Sequence, residues 1–137
     1  MAVVEELIRR EENGKLSFGN HLLDVKSKAD NFEHEGDMYK VKTFYEITKL
    51  EKNGMFVYES VPGTTVLNFE REEDRVSFQA EGTADVQITL GLEEEKEYKI
   101  FIDNTQVGKM KTNLSGKLTV SVELGEGRTA AIEVIEA

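Results

Sequence analysis

EITKLEKNGMFVYES, residues 46–60, carries two mixed apolar and polar runs on either side of Asn53-Gly54. Asn followed by Gly accepts positive φ at both centres of a type I′ turn, and the twist of that turn suits two antiparallel strands. Ile47 and Leu50 lead into the turn. After it, alternation places Met55, Val57 and Ser60 toward one face and Phe56, Tyr58 and Val61 toward the other. The stretch therefore reads as a β-hairpin, and the rest of the chain can be tested for the same grammar.

Downstream the grammar repeats. TVLNFE, RVSFQA, DVQITL, EYKIFID, QVGKMKT, KLTVSVEL and TAAIEVIE follow one another, parted by acidic clusters and by EGTA, GLEEEKE, DN, NLSG and GEGR. Seven short runs rich in Val, Ile, Thr and Phe at this spacing predict an all-β, antiparallel β-sandwich, immunoglobulin-like or jelly-roll-like, in preference to a βαβ sheet. The only proline, Pro62 in VPGTT, cannot donate to a ladder. It marks an expected boundary between an N-terminal set of strand hairpins over residues 1–62 and a C-terminal seven-strand sandwich over 63–137, one continuous domain being the alternative. The acidic run from Glu93 to Glu97 is expected as a solvated loop, with a short helix as the alternative.

Upstream, Asn13-Gly14 stands between LIRREE and KLSFGN. Val3, Val4, Leu7 and Ile8 also suit one face of a helix that Gly14 would end, so residues 1–12 admit strand or helix. Leu16 and Phe18 alternate after the turn, which favours a hairpin.

A chain of 137 residues is long enough to bury one core. Lys and Arg number 17 against 27 Asp and Glu, a formal charge of −10. A phosphate backbone or an anionic lipid surface is repelled by such a charge, which argues against nucleic acid and membrane as partners. No apolar run approaches the roughly 20 residues of a spanning helix. With no cysteine and with acids from Glu5 onward in MAVVEELIRREENG, the expected compartment is the cytoplasm. Asn113-Leu114-Ser115 matches a glycosylation sequon, which matters only in a secreted chain.

In DNFEHEGDMY, residues 30–39, His34 lies among Asp30, Glu33, Glu35 and Asp37, residue types that could hold a metal or exchange protons. On an extended segment Glu33 and Glu35 project one way and His34 the other, so the best carboxylate pair excludes the imidazole. Met38 breaks the H-E-x-x-H zinc spacing, and the other histidine, His21, is far along the chain. A solvated strand connection is the expectation, with no metal and no cofactor. No serine sits in G-x-S-x-G, and Gly116-Lys117 lacks the leading glycine of a phosphate loop, position 111 being lysine. Carboxylates are so many that a chance pair carries no weight for glycoside hydrolysis. No catalytic residue is assigned.

The aromatic residues give the candidate contact set: Tyr39, Tyr45, Phe56, Tyr58 and Tyr98. Exposed tyrosine stacks on sugar rings or anchors protein interfaces. Of the neighbours Phe44 and Tyr45, alternation exposes one. The function expected is non-catalytic, through self-association or binding of another protein by exposed strand edges or an apolar sheet face, with the hairpin Ile47 to Ser60 as interface strand and carbohydrate binding as the alternative.

KTFYEITKLEKNGMFVYESVPGTT together with LIRREENGKLSFGN resembles a group of short, uncharacterised bacterial all-β proteins, some of which carry an endosialidase-like label. That resemblance implies a glycosidase. The chain departs from sialidase propellers in having no Trp, and Arg9, Arg10, Arg71, Arg75 and Arg128 are scattered along it. EYKIFIDNTQVGKMKTNLSGKLTVSVEL, residues 97–124, is similar to accessory β-sandwich modules of carbohydrate-active enzymes, with Asp103-Asn104 where those often have Asp-Gly. The resemblance implies a fold and no site.

Overall fold

The computed structural model describes residues 2–137, and of Glu126 the backbone alone. Its elements are strands, with one 3₁₀ turn at Gly125–Gly127. The first hairpin joins β1 (Ile8–Arg10) to β2 (Leu16–Phe18). Glu11 accepts from Gly14 N at 3.0 Å and donates to Lys15 O at 2.8 Å, and Gly14 takes φ +82°. Turn chemistry thus prevails over the helical spacing of Val4, Leu7 and Ile8.

Next comes β3 (Ser27–His34) with β4 (Asp37–Phe44), closed by Glu35-Gly36, both at positive φ. β5 (Ile47–Lys52) and β6 (Met55–Val61) form the hairpin read from Asn53-Gly54, whose φ values are +52° and +79°. β7 (Thr65–Arg71), β8 (Arg75–Glu81), β9 (Val86–Gly91), β10 (Glu97–Ile102), β11 (Thr105–Lys111), β12 (Lys117–Val122) and β13 (Thr129–Glu136) occupy the seven runs after Pro62. The acidic run Glu93 to Lys96 is a turn, in which Lys96 Nζ bridges Glu93 at 2.8 Å and Glu136 at 3.1 Å.

Two antiparallel sheets face each other as a sandwich. One runs β1-β2-β7-β8-β13-β10-β11 and the other β12-β9-β6-β5-β4-β3. Both sheets draw strands from either side of Pro62, since β2 pairs with β7 and β6 with β9. Period-two alternation turns one face of each strand inward, and these faces meet in one cluster that includes Val41, Leu50, Ile88, Leu90, Ile100 and Ile132. At its centre Tyr58 meets Phe18 and Phe78 edge to face, with centroids 5.3 and 5.5 Å apart. Such pairs add to the stabilisation from burial alone.

The chain changes sheets between β6 and β7, where the Val61–Pro62 peptide is cis. A Cβ at Gly63 would collide with the Phe44 carbonyl oxygen, so the crossing segment can lie against the β4 end only because that position is glycine. Thr64 pins the crossing. Its hydroxyl meets Tyr58 Oη at 2.7 Å and Ser60 Oγ at 2.8 Å, and its carbonyl accepts from Thr48 Oγ1 at 2.7 Å. Thr48 in turn meets Thr43 at 2.8 Å, so a buried set of hydroxyls is satisfied internally. Among the described residues no helix is long and apolar enough to cross a membrane.

Candidate functional site

The two long sides of the sandwich differ. On one side β1 is tied to β3: Arg10 Nε donates to His34 Nδ1 at 3.0 Å, and Arg10 Nη2 donates to the Glu33 carbonyl at 2.6 Å. The guanidinium also lies 5.7 Å from the centre of the Phe32 ring. On the other side, β11 and β12 end their respective sheets. Between them runs a groove of about 460 Å³ lined by Ile100, Ile102, Val107, Met110 and Val120, with Glu123 and Arg128 among its other lining residues. Val107 is 55% exposed and Met110 42%. A β-bulge opposite Ile100 and Phe101 inserts Val107 as an extra residue in β11, which leaves that side chain over the open groove.

Four strands end the sheets, and they are protected unequally. β1 has three residues and is covered by the contact with β3. β3 carries an irregular register between Ala29 and Phe32, with charged Lys28 and Asp30. β11 has its bulge and both Lys109 and Lys111. β12 pairs with β9 in an unbroken register from Lys117 to Val122, and Lys117 is its one charged residue. Short length, bulges and lysines are the devices that keep sheet edges from pairing with other chains. β12 has none of them along Leu118 to Val122.

Which backbone groups β12 offers follows from its ladder. Leu92 N donates to the directly opposed Gly116 O at 2.7 Å, which fixes the side of β12 on which the carbonyl of Gly116 faces β9, while Gly116 N turns to Asn113 O at 3.0 Å. Antiparallel pairs alternate, so Leu118, Val120 and Val122 bond to β9 while the amides and carbonyls of Thr119 and Ser121 point away from it. Lys117, whose groups also point outward, is engaged by Asn113. The side chains of Leu118, Val120 and Val122 are buried, and those of Thr119 and Ser121 are exposed.

The hairpin Ile47 to Ser60 is not an edge. β5 lies between β4 and β6, and β6 between β5 and β9, so its backbone is already paired. This corrects the expectation of an interface strand there. Strand order is a long-range property and leaves no mark on the local pattern.

The aromatic candidates disperse. Tyr58 is fully buried and Tyr98 is 2% exposed, so neither can meet a partner in the folded chain. The reason for Tyr58 is a bulge in β6: Leu50 opposes Tyr58 and Glu51 opposes Phe56, which leaves Val57 as the extra residue. Alternation slips by one, and Phe56 and Tyr58, expected on the same face, part. Tyr58 turns to the core. Phe56 is half-buried beneath the ammonium of Lys117, 4.6 Å from its ring centre. Tyr98 alternates inward with Ile100, and its hydroxyl accepts from Glu93 N at 3.3 Å. Tyr45 is 53% exposed at the turn between β4 and β5, edge to face with Phe44. Glu46 raises its phenol pKa through a hydrogen bond.

Phe56 lines a cleft of about 510 Å³. Tyr39 lines another, a space of about 560 Å³ between the tips of the first, β3–β4 and β7–β8 hairpins. It is half-buried there, its ring centre 6.1 Å from that of His34, and burial pushes its phenol pKa up. Asp37 in the same cleft accepts from Asn53 Nδ2 at 2.9 Å and meets Lys52 at 3.3 Å. Those two partners, Asn53 first, hold its carboxyl below the ordinary carboxylate range. Asp37 is thus held as an anion, the reverse of what a general acid needs. Glu70 is bridged by Arg75 at 3.5 Å and Lys15 at 4.0 Å.

DNFEHEGDMY is a hairpin tip. His34 is buried and Glu33 and Glu35 are exposed. Arg10 is always a donor, so His34 Nδ1 is the acceptor and its ring proton sits on Nε2, 3.9 Å from Glu35 Oε2. His21 lies against Thr65 at the start of β7, whereas the cleft borders the end of that strand. Burial lowers its pKa. Among the described residues no three His, Asp or Glu side chains are placed to hold a metal ion.

The unprotected edge was beyond sequence reasoning because KLTVSVEL reads as a strand wherever it lies in a sheet. No family model, curated protein or solved structure matches this chain.

Proposed function

We propose that the protein is a non-catalytic β-sandwich that works by self-association, docking a strand of another copy along β12 beside the apolar groove. The observation that carries this reading is β12 itself, an unbulged and nearly uncharged edge whose amides at Thr119 and Ser121 point away from β9, beside a groove lined by exposed Val107 and Met110. Unpaired edges of this kind recruit strands, through main-chain hydrogen bonds for affinity and side-chain pockets for selectivity. Cytoplasmic residence, argued from the missing cysteines, belongs to the same proposal.

The test is Thr119→Pro. Its amide points away from β9, so proline there removes an outward donor and leaves the β9 ladder bonded. Sedimentation at tens of micromolar should show an oligomer for the native chain and a monomer for the variant. A native chain that stays monomeric, or an oligomer that the variant retains, overturns the proposal.

A second reading rests on Tyr39. A half-buried aromatic beside fixed polar groups in an open cleft suits a sugar ring. Binding on a glycan array that Tyr39→Ala abolishes would establish it.

A further inference from the structure

The geometry points to one specific partner for β12, which is β12 of a second copy, antiparallel about a two-fold axis through Val120. This rests on the reading of that edge as the docking surface, and adds its occupant and register. Outward backbone groups belong to the odd-numbered residues of β12, as the bond from Leu92 to Gly116 requires. Two such edges can bond only in registers that place odd residues opposite odd residues. A register one residue off, which would overlap the full strand with itself, sets outward groups against groups already used by β9.

Among the permitted registers, the one centred on Val120 places Thr119 opposite Ser121 of the second copy, and Ser121 opposite its Thr119. Both are hydrogen-bonded pairs, and four main-chain bonds result. On the outer face the same register sets Lys117 opposite Glu123 at both ends of the seam, both exposed residues. Opposite charges across a strand pair favour that register, and no other permitted one makes this match. On the inner face Leu118 stands opposite Val122 and Val120 opposite its own copy, and of these Val120 lines the groove. A two-fold contact is closed, so assembly stops at the dimer. Six strands become twelve.

The test is a charge exchange read by the dimer dissociation constant. Lys117→Glu and Glu123→Lys each set like charges together at both ends, and each should weaken the dimer about tenfold. Combined in one chain they restore opposite charges, and the constant should return to near its native value. Lys117 also covers Phe56 and Glu123 stands 3.8 Å from Arg128, but losing those contacts within a monomer cannot be repaired by the double change. Recovery in the double variant supports the register. An oligomer that needs Thr119 yet ignores the charge exchange overturns this partner and register, and leaves the docking edge standing. A native chain that never associates overturns both.

Discussion

Tyr58 shows what a single bulge does to a residue. The side chain buries its ring among Phe18, Phe69 and Phe78 and pairs its hydroxyl with that of Thr64. Burial pushes the phenol well above its ordinary value of 10.0. The unfolded chain loses this proton near pH 10 while the fold holds it, so stability is unaffected below that value and falls as pH rises beyond it. Tyr58→Phe should cost about 1–2 kcal/mol at neutral pH, because Thr64 loses a buried partner. In urea unfolding the variant should also lack this part of the alkaline decline. Period two is legible in the sequence, but a bulge is not, and so Tyr58 read as a contact residue and proved to be core.

Among the elements, the hairpins were the most legible. Asn53-Gly54, Asn13-Gly14 and the alternating runs after Thr64 carry their own geometry, because turn chemistry and side-chain period are local. Asn53 does more than turn. Its side chain accepts from Met38 N at 2.9 Å and donates to Asp37 at 2.9 Å, and its amide donates to Met38 O at 2.7 Å. The β5–β6 turn is thereby fastened to the start of β4. Asn53→Ala loses both side-chain bonds and the tolerance of Asn for left-handed backbone, so thermal unfolding should show a loss of about 2 kcal/mol. Asp37 would also lose the leading cause of its lowered pKa, and its titration, followed by NMR, should move up toward the ordinary carboxylate value. None of this second role was visible in the sequence, since Met38 and Asp37 lie fifteen or more residues away.

At the scale of the molecule, the layered all-β architecture followed from the count and spacing of strands, but the order of strands within each sheet did not. Pairing of β2 with β7 and of β6 with β9 binds the chain before Pro62 to the chain after it. The hinge of that arrangement is the crossing at Gly63. Gly63→Ala sets a methyl against the Phe44 carbonyl, and the backbone of either β4 or the crossing must shift. A loss of about 3 kcal/mol or more is expected in equilibrium unfolding, an overpacking cost at its upper range because the obstacle is main chain. The docking edge belongs to this scale too, since only the completed order of strands leaves one side of β12 without a neighbouring strand.

One position in that order governs how the chain is made. β13, residues 129–136, lies between β8 and β10. During translation, β8 and β10 emerge with nothing between them, and the seven-stranded layer remains in two pieces. Each piece shows a bare margin until residue 136 clears the ribosome. A stop codon before residue 129 therefore removes the strand that joins β8 to β10 and leaves the layer divided.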